Sequence, residues 1–313
     1  MIGFVLRRVL ATLPVMAVVA VFVFLLLHLT PGDPATVIAG DYARPEDIAR
    51  IRAELGLDQP LYLQFVTWIG RLAEGDLGRS IFSDLPVWTL IAQRIEPTLS
   101  LALLTLVIAV AVAIPLGTLA AWRMGSWIDR LVMAFAVVGF SVPVFVLGYV
   151  LIYIFALGLK LFPVQGYVPL ADGLWPFLHR LILPSVTLSV IFIALIARMT
   201  RASLLEVLGE DYIRTAHAKG LPEWRVLIRH ALRNAAIPIV TVIGIGFALL
   251  VGGVVVTESV YNIPGLGRLT VDSVLRRDYP VIQGIILVFS GLYVLINLAI
   301  DVLYSAFDPR IRY

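Results

Sequence analysis

The strongest constraint on this chain is a series of apolar windows long enough to cross a lipid bilayer as helices. Five windows contain no Asp, Glu, Lys or Arg, and a sixth, of 17 residues, is bounded by arginines. A membrane-spanning helix needs about 20 apolar residues. The windows are Val9–Leu29, Thr98–Trp122, Leu131–Leu159, Leu181–Ala197, Ala235–Thr257 and Tyr279–Ile300. They predict an all-α membrane protein with six transmembrane helices.

Composition supports this interpretation and excludes several classes of protein. The chain is 60% hydrophobic and 14% charged, whereas soluble domains carry roughly 25% charged residues. The absence of cysteine excludes disulfides, thiolate nucleophiles and Cys-ligated metal centres. The net charge of +3 is too small to indicate a nucleic-acid partner.

The first window has one alternative interpretation, a cleaved signal peptide, because Arg7 and Arg8 precede it. Its 21 residues exceed the apolar region of about 7–15 residues found in signal peptides. No small-residue cleavage site follows promptly. We therefore expect a retained first helix.

The distribution of Lys and Arg predicts the orientation, because short cytoplasmic loops are enriched in them. With the N-terminus inside, thirteen positive residues lie on the cytoplasmic side, against five in the short loops of the other side. Both termini are therefore predicted to be cytoplasmic. Thr30–Pro97, with ten acidic and six basic residues, is predicted to be an external helical subdomain. Its expected short helices are Ala49–Leu55, Leu61–Leu72 and Val87–Ile95.

The chain lacks a P-loop for ATP hydrolysis and the paired ionisable groups of intramembrane catalysis. Its two lysines, Lys160 and Lys219, precede Leu and Gly, so neither belongs to a phosphate-binding P-loop. The windows lack paired ionisable groups of the kind that intramembrane enzymes and proton-driven transporters use, and no histidine pair has metal-ligand spacing. We therefore expect no catalytic and no metal site. Transport, if present, is passive or driven by a partner.

The cytoplasmic segment Asp211–Pro222 has the signals of a short helix. Asp211 is expected to cap its start, and Gly220 to take the left-handed position after its end. Lys219 suits the negative end of the helix dipole. A helix of two turns is unstable alone in water, so it must pack on its own chain or on a partner.

The face Tyr212, Thr215, Ala216 and Lys219 has small residues at its centre, which would let another protein approach. An ordinary connecting helix remains the alternative on pattern alone.

The same segment resembles the signature of ABC importer permeases, in which a short Ala-rich helix and a glycine dock on an ATPase. Ala216, Gly220 and Leu232 match its motif of Glu-Ala-Ala, three residues, Gly and later Ile-x-Leu-Pro, whereas the Glu and the Pro do not match. The departures are typical of the peptide/nickel branch, which Asp211–Leu221 and Arg229–Pro238 resemble. Further similar strings are Pro31–Pro34, Leu55–Leu61, Gly75–Gly78, Glu258–Tyr261, Pro264–Gly267, Arg277–Pro280 and Asp308–Arg310. The resemblance covers nearly the whole chain and is to the first permease subunit of a dipeptide or oligopeptide importer.

The resemblance implies a type I importer permease fold in a bacterial inner membrane. Its parts would be a first helix (1–29), the external subdomain (30–97), a five-helix core (98–303) with a coupling helix at about 211–220, and a cytoplasmic tail (304–313). The implied partners are a second homologous permease, two ATPase subunits that bind ATP and Mg²⁺, and an external binding protein. This chain itself would bind no cofactor. The implied substrates are peptides, with nickel chelates, glutathione and oligosaccharides as alternatives.

The resemblance also implies roles for residues. ATPase coupling falls on Asp211, Tyr212, Arg214, Thr215, Ala216, Ala218, Lys219, Gly220 and Leu221. Candidate pathway residues are Ser141, Ser185, Thr187, Ser189, Thr241 and Asn297, with Glu258 for a peptide amino group. For the Ser and Thr residues the alternative is a hydrogen bond to a carbonyl of their own helix. Gly139, Pro143 and Pro184 are expected to bend helices, and 261–268 to form a re-entrant element or a plain turn.

Two other classes of function remain as rivals. One is a membrane scaffold whose cytoplasmic helix only recruits a partner. The other is an intramembrane enzyme, which the missing ionisable pairs disfavour.

Overall fold

The computed structural model describes residues 2–29, 35–36, 44–54 and 56–307, with side chains for most of them. In these ranges the regular elements are helices, and the one extended pairing is an isolated bridge between Arg79 and Pro86. The sequence strings at 31–34 and 308–310, and the side chains of Arg7 and Arg8, lie outside the described residues.

The helices whose bounds the structure describes are numbered α1 to α12 along the chain. The first half forms α1 (Ile2–Leu29), α2 (Pro45–Glu54), α3 (Leu61–Ala73), α4 (Val87–Trp122), α5 (Trp127–Ser141) and α6 (Val144–Leu151), which continues as a π-helix at Ile152–Gly158. The second half forms α7 (Leu174–Leu208), α8 (Asp211–Ala218), α9 (Glu223–Arg225, continuing as a π-helix at Val226–Leu232), α10 (Ala236–Val260), α11 (Leu266–Arg276) and α12 (Tyr279–Phe307).

Six helical segments correspond to the six predicted spans. Within the described ranges, α4, α7 and α12 are each long and apolar enough to cross a bilayer. The bent pairs α5–α6 and α9–α10 qualify when each pair is taken as one span, and α1 supplies a shorter apolar stretch, Leu10–Leu26. The fold is that of a multi-pass membrane protein.

The third span is not the single rod that the apolar window predicted. α5 and α6 meet at an angle of 104°. The break falls at Val142 and Pro143, where Val142 is extended with φ −83° and ψ 122°. Proline disfavours helical geometry in the residue before it and has no N–H to donate. The expected bend at Pro143 is therefore confirmed, and it is sharp enough to divide the span.

Two other helices are longer than their apolar windows. Val87–Ile95, predicted to be a separate helix, is the first part of α4, which continues through Pro97. The fourth predicted span, Leu181–Ala197, lies inside the longer helix α7. Charged residues ended both windows, but a helix can extend beyond the membrane if packing supports its ends.

α4 and α7 form the centre of the bundle, and small residues let them approach closely. Ala102, Ala109, Ala113 and Ala120 of α4 have no exposed surface. A Cβ on Gly117 would lie 2.5 Å from the Ala197 carbonyl oxygen. Between apolar helices in lipid, close backbone approach is a main source of association energy.

A second packed region stabilises the other end of the bundle. Val87 and Ile91 of α4 form a buried cluster with Leu266 of α11 and with Val281 and Ile285 of α12. This packing explains why α4 begins at Val87, well before the apolar window Thr98–Trp122. We call this end the α3 end and the opposite one the α8 end.

Candidate functional site

The short helix α8 ends as the sequence predicted. Gly220 has a φ of +75°, which glycine adopts without steric cost. Its N–H donates to the His217 carbonyl at 2.9 Å, and the Leu221 N–H donates to the Ala216 carbonyl at 3.3 Å. This pair of bonds is the Schellman motif. It turns the chain sharply away from the helix and leaves Gly220 exposed.

The start of α8 differs from the prediction. Glu210 holds the N-cap position without a side-chain capping bond, and Asp211 is the first helical residue. The Asp211 carboxylate instead accepts a hydrogen bond from Arg214 at 3.1 Å. The prediction that Asp211 caps the helix is therefore wrong by one residue. Asp211 still favours the helix, because its charge lies at the positive end of the helix dipole.

One face of α8 is anchored in the chain itself. Ile213 and Ala216 are buried in an apolar cluster, here called the α8 cluster, with residues from α4, α7, α9 and α10. Its other buried members are Ala121, Leu204, Val226, Ala231, Ala235 and Ile239. The chain thus supplies the packing that a two-turn helix needs. The cluster also contains residues from the ends of three long helices, α4, α7 and α10.

The cluster corrects the assignment of the docking face. Ala216 is buried against the chain and cannot be at the centre of a face for a partner. The exposed residues of this region are Asp211, Tyr212, Arg214, Thr215, His217, Ala218, Lys219 and Gly220. Leu221 packs against the α8 cluster. Partial burial and the nearby Glu210 carboxylate raise the pKa of the Tyr212 phenol.

A partly buried ion pair lies at the same end of the bundle, and the sequence pattern did not predict it. Arg201 of α7 donates to both Asp129 carboxylate oxygens, at 2.5 and 2.8 Å. The Gly125 N–H donates to the same carboxylate at 3.0 Å. The two partners are 72 residues apart, and Arg201 was counted only as a positive loop residue. The pair ties the start of α5 to the extension of α7.

Four of the candidate pathway residues are buried inside this chain. Ser185, Thr187, Ser189 and Glu258 have almost no exposed surface. The Ser189 hydroxyl donates to the Val186 carbonyl, and the Thr187 hydroxyl lies 2.7 Å from that of Tyr261. Thr187 and Glu258 thus bond to other segments of the same chain, whereas Ser189 bonds within α7 and the Ser185 hydroxyl has no partner among the described residues. All four are enclosed by this chain in this structure.

The other three candidates, Ser141, Thr241 and Asn297, retain exposed surface. Each donates to the carbonyl four residues earlier in its own helix, at 2.9, 2.7 and 2.9 Å respectively. That local bond is the alternative expected for Ser and Thr from sequence. Contact with a substrate stays a prediction for these three residues.

Glu258 stabilises the α3 end of the bundle. Its carboxylate accepts from the Thr98 hydroxyl at 2.6 Å and from the Arg268 N–H at 2.9 Å. The Leu266 N–H donates to the same Thr98 hydroxyl at 2.8 Å. Glu258 and Thr98 thus satisfy free N–H groups in the first turn of α11, as a helix cap does. A Cβ on Gly265 would clash with the carboxylate, so this glycine makes the approach possible.

The 261–268 segment is a turn that leads into α11. Tyr261 is buried beside Thr187, and its hydroxyl donates to the Gly148 carbonyl at 3.3 Å. The Tyr261 carbonyl accepts the Gly166 N–H at 3.0 Å. The segment is a structured turn here, and a re-entrant position in the membrane stays a prediction. It joins α6, α7 and α10 at one point.

Comparison with family models covers nearly the whole chain. The model described as "Binding-protein-dependent transport system inner membrane component" matches residues 113–313. A second model, for the N-terminal part of binding-protein-dependent transport system membrane components, matches residues 1–102.

Individual relatives match over the full length. A probable peptide ABC transporter permease protein, y4tP, of Sinorhizobium fredii is 54% identical over 310 residues, 99% of each chain. The glutathione transport system permease protein GsiC of Escherichia coli is 49% identical over 313 residues, 100% of each chain. Among solved structures, an inward-facing MetNI methionine ABC transporter chain superposes with a TM-score of 0.59 and 21% identity, covering 71% of this chain and 97% of that one. This last likeness concerns the fold alone.

Proposed function

We propose, from the premise that this chain belongs to the family of binding-protein-dependent transport system inner membrane components, that it forms half of the pathway of an ATP-driven importer for di- or oligopeptides. As an ABC transporter permease it spans the membrane several times. The finer statements below, on coupling, partners, orientation and substrate, belong to the proposal.

The observation that carries the proposal is the arrangement of α8. Its inner face is buried in the α8 cluster, and its outer face is polar and exposed. A partner that binds the outer face can therefore move the ends of α4, α7 and α10 through the cluster. The Asp129–Arg201 pair extends the same linkage to α5. This packing would let a movement of a partner ATPase at α8 reach the membrane helices.

The partners follow from what the chain itself lacks. Neither lysine lies in a P-loop sequence, so we assign ATP and Mg²⁺ to two ATPase subunits that bind α8. A second homologous permease completes the pathway, and a binding protein delivers the substrate. We place α8 and both termini on the cytoplasmic side of a bacterial inner membrane, and the 30–97 subdomain outside, where it docks the binding protein or gates the channel.

For the substrate, two candidates have support. The Sinorhizobium relative is named as a peptide permease and the Escherichia relative as a glutathione permease. Glutathione is itself a tripeptide, so both names describe short peptides. We propose a dipeptide or oligopeptide as the substrate, with glutathione as the second candidate.

The test is reconstitution of this chain in proteoliposomes with its permease, ATPase and binding-protein partners. Uptake of labelled dipeptide, oligopeptide and glutathione is measured with and without ATP. The Lys219→Glu variant reverses a charge on the exposed side of α8, and Lys160→Glu makes the same change at the opposite end of the bundle. We expect ATP-dependent peptide uptake that Lys219→Glu reduces and Lys160→Glu leaves intact.

Two results would overturn the proposal. Uptake that does not depend on ATP would contradict the assignment of the energy source to partner ATPase subunits. A complex that binds the ATPases but transports none of these substrates, and no nickel chelate or oligosaccharide either, would favour the scaffold interpretation.

A further inference from the structure

The segment that follows α8 carries three arginines that have no part in the function proposed above. They are Arg225, Arg229 and Arg233, and they recur every four residues along α9 and its π-helix, here together called the α9 segment (223–233). All three are exposed, and none of them forms an ion pair within the described ranges. Residues four apart lie on one side of a helix, so the three guanidinium groups form a basic stripe.

An apolar stripe lies beside the basic one. Trp224 is 60% exposed, and Ile228, one turn further along, is 58% exposed. The Arg225 guanidinium lies 5.2 Å from the centre of the Trp224 ring, so the two stripes are adjacent. A helix that presents Trp and aliphatic residues next to arginines is typical of segments that lie in the plane of a membrane interface.

The backbone turns the α9 segment away from the direction of a membrane span. The segment meets α10 at an angle of 63°. Because membrane helices tilt by only about 20° from the bilayer normal on average, the segment is inclined toward the membrane plane. Its inner side, with Val226 and Ala231, is buried in the α8 cluster. The basic and apolar stripes therefore face away from the bundle.

A second tryptophan places the α9 segment at the level of the membrane interface. Trp122 is 43% exposed at the end of the span α4, and the Arg123 guanidinium lies 4.3 Å from the centre of its ring. Its neighbour Ala121 packs in the α8 cluster with Val226, so Trp122 and Trp224 lie at the same end of the bundle. Tryptophan is enriched where spans enter the headgroup region. The exposed side of the α9 segment is thus continuous with this interfacial region.

We propose that the exposed side of the α9 segment binds the surface of a bilayer that contains anionic phospholipids. The three arginines contact the anionic headgroups, and Trp224 and Ile228 enter the boundary between headgroups and acyl chains. Charge complementarity favours this occupant over a neutral lipid surface. The segment has one carboxylate, that of Glu223, and it faces His217 of α8 at 3.7 Å, so the basic stripe keeps its positive charge.

Binding of this side to the bilayer influences α8. Val226 and Ala231 pack with Ile213 and Ala216 of α8 in the α8 cluster. An anionic bilayer that holds the α9 segment therefore also restrains α8, whereas a bilayer without net charge holds both less firmly. Anionic lipid is in this way a regulator of coupling. Only this regulatory consequence rests on the function proposed above, because the lipid contact itself requires no partner subunit.

The test places the full chain in nanodiscs of phosphatidylcholine and phosphatidylglycerol, with one of the two lipids brominated in its upper acyl chain. Bromine quenches nearby tryptophan, and comparison with Trp224→Phe isolates the signal of Trp224. We expect brominated phosphatidylglycerol to quench Trp224 more strongly than brominated phosphatidylcholine at the same mole fraction. Each arginine near an anionic surface contributes about fivefold to binding. Replacing Arg225, Arg229 and Arg233 together by glutamine should therefore reduce this preference fivefold or more.

The matched control removes three exposed arginines from the opposite end of the bundle. Arg71→Gln, Arg276→Gln and Arg277→Gln are combined, and this variant should keep the preference for phosphatidylglycerol at Trp224. The lipid contact is refuted if Trp224 is not quenched by either lipid, or if the triple variant of the α9 segment keeps the full preference. Quenching that disappears when ATPase subunits bind would assign this side to the ATPase and would also refute it.

A second measurement tests the influence on α8 without any partner subunit. Amide hydrogen exchange at Ile213 and Ala216 should be slower in nanodiscs with phosphatidylglycerol than in phosphatidylcholine alone, and the triple variant of the α9 segment should lose this difference. Equal exchange in both lipids would contradict the regulatory consequence. A reconstituted complex that transports peptide in neither lipid would count against the proposed function, whereas the quenching result would still decide the lipid contact.

Discussion

Replacing Gly220 by tryptophan is the sharpest test of the α8 surface. A Cβ at Gly220 would meet no other atom within 4 Å, so a larger side chain there fits the chain itself. The remaining cost is backbone strain at a φ of +75°. For a residue other than glycine, the left-handed region costs about 1–2 kcal/mol. The variant should therefore fold and insert, with a bulky ring at the place where a partner would bind.

Gly125 provides a matched control. It has a φ of +78°, and its Cβ would likewise meet nothing within 4 Å. It lies between α4 and α5 at the α8 end, beside the Asp129–Arg201 pair. Gly125→Trp therefore carries the same strain and the same bulk away from α8.

The assay compares thermal unfolding in detergent with ATPase activity and peptide uptake in reconstituted complexes. Both variants should lose similar stability, about 1–2 kcal/mol from the strain alone. Gly220→Trp should lose uptake, and Gly125→Trp should retain it. Gly220→Ala, with the strain but little bulk, should retain most uptake. If Gly220→Trp transports normally, or if the Gly125 variant fails equally, α8 is not the coupling surface.

Three further predictions concern packing around the site. Arg201→Ala leaves the Asp129 carboxylate with only the Gly125 N–H as a partner, so it should destabilise the chain by about 1–3 kcal/mol. The double variant with Asp129→Ala should recover part of this loss in the same thermal assay, and full additivity would argue against the pair. Ala216→Arg inserts a charge into the α8 cluster, so it should abolish folded protein and not merely uptake. A monodisperse, stable Ala216→Arg protein would show that α8 is not anchored as described. Glu258→Ala removes the cap of α11, which should cost about 1–2 kcal/mol and speed amide hydrogen exchange at Arg268. Unchanged exchange there would contradict the capping role.

The spans and the short helix were predictable because they depend on local properties. An apolar stretch of sufficient length must be helical in lipid, since its backbone groups have no other partners there. The end of α8 was likewise predictable from the sequence, because only glycine takes a φ of +75° without strain, as Gly220 does. The family and its fold followed from ordered strings such as Asp211–Leu221, and the matches to family models confirm both.

The predictions that failed concern contacts between segments that are far apart in the sequence. Ala216 looked like part of a docking face, because a pattern of small residues does not say which side is already occupied. Val87–Ile95 looked separate from its span, because the support for that extension comes from Leu266 and Ile285, far away along the chain. Glu258 was predicted to be available to a peptide, but its carboxylate is enclosed by Thr98 and α11, which the sequence does not place beside it.

Length and apolar character along the sequence were thus sufficient for the class of protein, for the positions of its long apolar helices and for the position of the short helix α8. The face that α8 presents, the Asp129–Arg201 pair and the enclosure of Glu258 emerged only when helices separated by many residues packed together. The physical reason is the range, along the sequence, of the interactions that decide each feature. Helix formation in lipid is governed by each segment's own backbone and side chains, whereas burial and ion pairing depend on neighbours that the fold brings together.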